Sequence, residues 1–118
     1  MDVIEPIAKF TAGLRETAGV RNIYNVGLEE WQPSLEPSSS VPAESSTCGG
    51  ERAEPRYDVI WNQWCLNYLN DEQLVAYLRT CGSVLNPEAG GKAVIVLKEN
   101  VSLDNEDVFD DEDSSVTR

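Results

Sequence analysis

Two stretches constrain the fold most: Tyr57-Asp58-Val59-Ile60-Trp61 and Ala93-Val94-Ile95-Val96-Leu97, strand-like runs whose apolar residues follow one another with little polar interruption. A strand with one wet face alternates in polarity, so runs that do not alternate read as buried on both faces, in a parallel sheet covered by helices. Between them, Asn70 followed by Gln73 has the form of a capping box. Leu74, Leu78, Cys81 and Leu85 then fall three and four apart, which predicts one apolar helix face. Gly82 costs that helix about 1 kcal/mol relative to alanine. Asn86-Pro87 and Gly90-Gly91 end it.

Upstream, Asp2-Val3-Ile4 reads as a very short strand stopped by Glu5-Pro6, since proline removes a ladder donor and suits a first helical turn. Phe10 and Leu14 recur at helical spacing, so a helix is expected over 7–18, ending near Gly19. A second strand is expected over 22–26, followed by a Gly27-Leu28-Glu29-Glu30-Trp31 turn. Residues 33–56 hold four prolines, six serines and Gly49-Gly50. Such a stretch buries too little apolar surface to offset its ordering entropy and reads as a flexible insertion. The order strand, helix, strand, insertion, strand, helix, strand is that of an α/β chain whose parallel sheet is covered by helices. Ligands of such sheets sit beyond the carboxyl ends of the strands, which directs attention to Glu5, residues 27–29, 62–64 and 98–100.

The chain has 118 residues, room for at most one small domain, and its net charge is −12. That charge argues against nucleic acid, which needs clustered Lys and Arg, and toward cationic partners or solubility. No apolar run is long enough to cross a membrane, and the acidic start Met1-Asp2-Val3-Ile4-Glu5-Pro6 is unlike a signal peptide. There is no histidine, and Cys48, Cys65 and Cys81 stand far apart, so neither a metal site nor a disulfide framework is indicated. A soluble, metal-free intracellular protein is the expectation. From 104 to 113, seven of ten residues are Asp or Glu. Composition alone reads that run as a solvated acidic loop.

Single strand-end residues say little by themselves. Glu5 can accept hydrogen bonds from two ribose hydroxyls, yet serves equally as a turn or capping residue. Trp61-Asn62-Gln63-Trp64 combines flat apolar surface with directional amides, which suits a planar heterocycle or a peptide. Trp61, still within the strand, is expected in the core, and Trp64 in a binding site. Lys98-Glu99-Asn100 reads alone as solvent-facing punctuation after a buried strand.

Taken together, Asp58-Val59-Ile60-Trp61-Asn62-Gln63-Trp64, the helix through Cys81, Lys98-Glu99-Asn100 and Asp113-Ser114-Ser115-Val116 resemble the alpha-N-terminal protein methyltransferases, over nearly the whole chain except 33–56. The resemblance implies an α/β fold of the class I methyltransferase type, with a Rossmann-like doubly wound sheet, of which residues 1–118 form a partial domain. It implies S-adenosyl-L-methionine as methyl donor, and as acceptor the α-amino group of proteins with an exposed X-Pro-Lys-type N-terminus. Glu5, Pro6 and Ile7 stand where the family contacts the donor's ribose, Leu28 and Glu29 where adenine is held, and Gln63 near the methionine part. Trp64 stands in the acceptor channel, and Asn100 and Asp113 match the pair that grips and deprotonates the amine. An α-amino group has a pKa of about 7.7–8.0, so a carboxylate suffices as proton acceptor. The acidic run would then attract the cationic Pro-Lys end.

The pattern departs from the family at Asn67-Tyr68, where Gly-His is usual. Tyr68 would line the acceptor site with a hydrogen bond but without an imidazole's titration. In the family's fold, a first strand with its glycine-rich turn lies ahead of Met1, and two further strands lie beyond Arg118. This chain by itself is therefore expected neither to bind the donor tightly nor to turn over. A monomer is expected, in the cytoplasm and as a further compartment the nucleus. The rival reading is a non-catalytic acidic adaptor for basic protein tails; a receiver-type domain ranks below both, because Asp58 opens a strand instead of ending one.

Overall fold

In the computed structural model, which describes residues 1–40, 54–104 and 106–118, the chain divides into two packed units, Met1–Glu54 and Pro55–Arg118.

The first unit is built on β1 (Asp2–Ile4) and β2 (Asn22–Tyr24), which pair in parallel with Val3 opposite Ile23. Both strands are three residues long, so side-chain bonds reinforce their ends. Arg21 and Asn22 both donate to the Asp2 carboxylate, and the Glu5 N–H donates to the Tyr24 carbonyl at 3.0 Å. A third strand, β3 (Ser39–Ser40), pairs antiparallel with β2. Residues 39–40 fall inside the stretch expected to be a flexible insertion; residues 41–53 of that stretch, with Cys48 and Gly49-Gly50, lie outside the described residues. Val20, Ile23, Tyr24 and Trp31 form the unit's apolar core, with Tyr24 and Trp31 meeting edge to face at 6.2 Å between ring centres.

The helix expected over 7–18 is broken. Only α1 (Ala8–Thr11) is α-helical, and Ala12–Glu16 continues as a 3₁₀ helix. Short helices are marginal without a buried face, Gly13 lowers propensity further, and Phe10 is exposed with Lys9 lying over its ring.

The second unit is a β–α–β unit: β4 (Val59–Gln63), α2 (Asp71–Ser83) and β5 (Val94–Lys98). The strands pair in parallel from Val59 opposite Val94 to Gln63 opposite Lys98, each lying one or two residues later than expected. The capping box of α2 forms in full. The Asn70 side chain accepts the Gln73 N–H, and the Gln73 side chain accepts the Asn70 N–H, both at 2.9 Å. On the helix Tyr77 and Cys81 are buried, while Leu74 and Leu78 are half-buried. Leu85 lies beyond the helix and bridges to Tyr57. Gly90 and Gly91 turn the chain into β5 with φ of 62° and 79°, backbone that favours glycine. A small hairpin, β6 (Val108–Phe109) with β7 (Val116–Thr117), ends the unit.

The described residues are mixed α and β with a parallel strand pair in each unit, and their strands form three small sheets, β1-β2-β3, β4-β5 and β6-β7, which do not by themselves show a doubly wound sheet. One expectation, that Trp61 lies in the core, is corrected. Asn62 is buried and its amide oxygen accepts the Tyr77 hydroxyl at 2.7 Å, so α2 packs on the Asn62 face. Neighbouring positions on a strand point to opposite faces. Val59 and Trp61 therefore project from the other side, where Trp61 is 60% exposed, outside the core expected for it.

Candidate functional site

Two groups of sequence-predicted residues gather at strand ends, one in each unit. In the first unit, β1 and β2 run parallel side by side, so the Glu5-Pro6-Ile7 loop and the Gly27-Leu28-Glu29 turn leave the same end. Glu5 is fixed by its own turn, its Oε1 accepting the Ile7 N–H at 2.9 Å. Its backbone carbonyl accepts the Asn25 amide at 2.8 Å, tying one loop to the other strand's end. Leu28 is half-buried, Glu29 is exposed, and the Glu29 carboxylate lies against Gly27. A carboxylate has about four lone-pair sites, so Glu5 retains capacity for ligand hydroxyls after serving its turn.

In the second unit the carboxyl ends of β4 and β5 carry Gln63, Trp64, Lys98, Glu99 and Asn100. Gln63 is exposed and accepts the Trp61 indole N–H at 3.2 Å. Trp64 adopts φ 53°, a left-handed conformation costing about 1–2 kcal/mol in an L-residue and persisting only where its surroundings impose it. Those surroundings come from the end of β5. The Trp64 N–H donates to the Lys98 carbonyl at 3.0 Å, and the Lys98 ammonium stands 4.7 Å above the centre of the indole. The Trp64 ring is nonetheless 57% exposed, available to a ligand.

Glu99 is the residue that sequence reasoning missed. Read as solvent-facing punctuation, it turns inward: its Oε1 accepts the N–H of Cys65 at 2.9 Å and of Leu66 at 3.0 Å. Its Oε2 is buried and has no hydrogen-bond partner among the described residues. No spacing or composition signal marks this role, because it depends on the conformation of Trp64.

Tyr68 lies in the short 3₁₀ turn Leu66–Tyr68 and donates its hydroxyl to Asp113 Oδ2 at 3.3 Å. Asp113 sits in the loop of the β6–β7 hairpin. There Asp110 accepts the Glu112 N–H, Ser114 takes φ 61°, and Asp113 Oδ1 accepts the Ser115 N–H at 2.9 Å. Hydrogen bonds from the Ser115 side chain and backbone, aided by Tyr68, hold the Asp113 carboxyl below the usual carboxylate range. The negative charge of Asp113 in turn holds the Tyr68 phenol above its ordinary value. Each group thus stays in its hydrogen-bonding form, carboxylate and protonated phenol, across neutral pH. Part of the acidic run is therefore ordered into a hairpin that brings Asp113 to Tyr68, 45 residues away in sequence. Asn100 is exposed two residues past the end of β5. No group of metal-ligating side chains is present among the described residues, and no helix among them is long and apolar enough to cross a membrane.

A parallel β–α–β unit with aromatic and polar side chains gathered at its strands' carboxyl ends is the arrangement by which open α/β proteins bind ligands. The whole chain, residues 1–118, matches the family described as AdoMet dependent proline di-methyltransferase, and it belongs to that family. Over its full length it is 38% identical to Alpha N-terminal protein methyltransferase 1 of Schizosaccharomyces pombe, covering 44% of that protein. It is 38% identical to N-terminal Xaa-Pro-Lys N-methyltransferase 1 of Danio rerio, over 87% of this chain and 35% of the relative. With Alpha N-terminal protein methyltransferase 1 of Arabidopsis thaliana the identity is 33%, over 100% of this chain and 37% of the relative. The chain spans less than half the length of these relatives. Membership implies the class I Rossmann-like fold and an S-adenosylmethionine-dependent chemistry.

Proposed function

We propose that this chain supplies the acceptor site and part of the donor site of an S-adenosyl-L-methionine-dependent enzyme that methylates the α-amino group of proteins with an exposed Xaa-Pro-Lys N-terminus. The observation that carries this reading is the Asp113 carboxylate held by Tyr68 at the strand end that presents Trp64, in a chain of this family.

S-adenosylmethionine, when bound, supplies an activated methyl group. The Glu5-Pro6-Ile7 loop would hold its ribose through the Glu5 carboxylate, Leu28 and Glu29 would flank its adenine, and Gln63 would contact its methionine part.

Methyl transfer is chiefly a matter of alignment. Trp64 offers a flat apolar surface suited to the acceptor's proline ring. Asn100 and Asp113 would hold the amine. An α-amino group with a pKa of about 7.7–8.0 is partly neutral at pH 7, and the ionised Asp113 orients the amine and passes on to solvent the proton that the charged fraction must lose. The Tyr68 hydroxyl keeps Asp113 oriented for that task. The carboxylates between 104 and 113 attract the acceptor's lysine. Membership in a methyltransferase family does not favour the rival adaptor reading.

The test is a graft. Residues 1–118 replace the matched segment of the S. pombe relative, and a peptide beginning Ala-Pro-Lys is examined by mass spectrometry after incubation with the donor. The graft is expected to add methyl groups to the peptide's N-terminus. Asp113→Asn within it should slow transfer by about 10²–10⁴-fold, the usual worth of a positioned acid or base. A folded graft that binds the peptide in a salt-sensitive way but never methylates it would support the adaptor.

A further inference from the structure

We infer that Glu99 is a positioning residue for the acceptor site: its carboxylate fills the backbone cavity behind Trp64 and so holds the indole in the conformation that presents it to the acceptor peptide. The inference rests on the acceptor-site reading of Trp64 and adds the residue that creates that geometry.

Successive N–H groups that follow a left-handed residue converge and form a concavity suited to an anion. Trp64, at φ 53°, is such a residue. The two N–H groups that follow it, of Cys65 and Leu66, meet at a single oxygen, Glu99 Oε1, at 2.9 and 3.0 Å. The bend at Trp64 and the anion require each other. Without the carboxylate, two donors at the edge of the buried Leu66 lose their partner. Without the left-handed bend, they no longer point at one atom. From the other side, the Trp64 N–H is bound to the Lys98 carbonyl at 3.0 Å and the Lys98 ammonium lies over the ring. Two consecutive residues at the end of β5 thus dictate both the backbone and the ring face of one tryptophan.

Packing alone does not explain a glutamate here. Its second oxygen is buried without a partner among the described residues, an unfavourable arrangement that an apolar residue would avoid. The compensation is the pair of charge-assisted bonds to Cys65 and Leu66, which are stronger than neutral ones. What they stabilise is a conformation that a bulky side chain otherwise disfavours.

The experiment uses the full chain and four variants: Glu99→Ala, Glu99→Gln, Trp64→Ala, and Glu99→Ala combined with Trp64→Ala. Calorimetry gives the affinity for an Ala-Pro-Lys peptide, and NMR gives the Cys65 and Leu66 amide shifts and the Trp64 backbone conformation. Glu99→Ala is expected to weaken the peptide by about tenfold, whereas Glu99→Gln, which keeps an acceptor oxygen, weakens it by no more than about threefold. In the Trp64→Ala background, Glu99→Ala should add less than about twofold, because the effect runs through the indole. Unchanged affinity in Glu99→Ala, or an equal loss with and without Trp64, would overturn the proposal, the latter pointing to general loss of structure. If the unmodified chain does not bind the peptide, the acceptor-site reading fails. The clamp is then decided by NMR: Trp64 leaving the left-handed region in Glu99→Ala supports it, and Trp64 staying there refutes it.

Discussion

The hydrogen bond between Tyr77 and Asn62 offers the most direct test of how the second unit is held together. Tyr77 is 5% exposed and Asn62 3%, and the phenol donates to the amide oxygen at 2.7 Å. The Asn62 amide's other bond, to the Val96 carbonyl, is long at 3.5 Å. Tyr77→Phe removes the short bond and leaves a buried oxygen unsatisfied, a loss of about 1–3 kcal/mol. For a unit of this size each kcal/mol moves the midpoint by about 4–8 °C, so a fall of roughly 5–20 °C is expected. Replacing both partners with apolar groups, Tyr77→Phe with Asn62→Leu, should recover much of it, because neither polar atom then remains buried. Burial also raises the Tyr77 phenol well above its ordinary value. The folded state therefore holds this proton more tightly than the unfolded state does. The associated stability is complete below the unfolded value of about pH 10 and drains as pH rises beyond it, by up to about 1.4 kcal/mol per pH unit. Thermal melts followed by circular dichroism at neutral pH and through the range above about pH 10 measure both effects. The gap between the natural chain and Tyr77→Phe should be widest at neutral pH and narrow in alkali. Coincident melts at pH 7, or a gap that widens in alkali, would refute the argument.

The capping box makes a simpler prediction: Asn70→Ala should destabilise the second unit by about 1 kcal/mol, read as a lower melting midpoint. In the grafted enzyme, Tyr68→Phe should slow methyl transfer by about threefold to tenfold without abolishing it, since the lost bond orients Asp113 but carries no proton in the reaction. The same graft should show transfer rising with pH through the amine's pKa of about 7.7–8.0 and levelling above it. Because Asp113 is held below the usual carboxylate range, its own protonation should cut activity only in acid more extreme than an ordinary aspartate requires. An acidic limb near neutrality in the rate profile would show that a different group is titrating.

What was legible in the sequence was local. The capping box at Asn70 and Gln73, the glycine turn at 90–91 and the strands around Val59–Gln63 and Val94–Lys98 each depend on residues near one another in the chain. The apolar periodicity of α2 found Cys81 but not Tyr77, because a phenol whose hydroxyl meets Asn62 is as buried as any aliphatic group. The first helix was overestimated because two apolar positions at helical spacing do not constitute a buried face, and Phe10 remains in solvent. The two-sided burial expected of β4 failed at Trp61 for a related reason. Continuous apolarity reports that a strand could be covered on both faces, whereas coverage itself depends on which helices lie against it.

The site divides along the same line. Trp64, Tyr68 and Asp113 could be singled out by residue type and by the family pattern, and the structure brings Tyr68 and Asp113 into contact. Glu99 could not, because a glutamate after a strand is ordinary until the backbone before it bends. Three adjacent residues, Lys98, Glu99 and Asn100, then divide the labour: the first covers the Trp64 ring, the second fixes its backbone, and the third would reach the amine. This bears on Tyr68, which stands where the family's pattern has histidine. The clamp on Cys65 and Leu66 anchors the start of the 3₁₀ turn whose last residue is Tyr68. A histidine placed there would start from the same anchored turn, so Tyr68→His is expected to leave the backbone of that turn in place while replacing the phenol's bond to Asp113 and changing the titration of the site. An NMR spectrum of Tyr68→His in which the Cys65 and Leu66 amides move as far as they do in Glu99→Ala would show that the turn depends on the phenol, and would contradict this division.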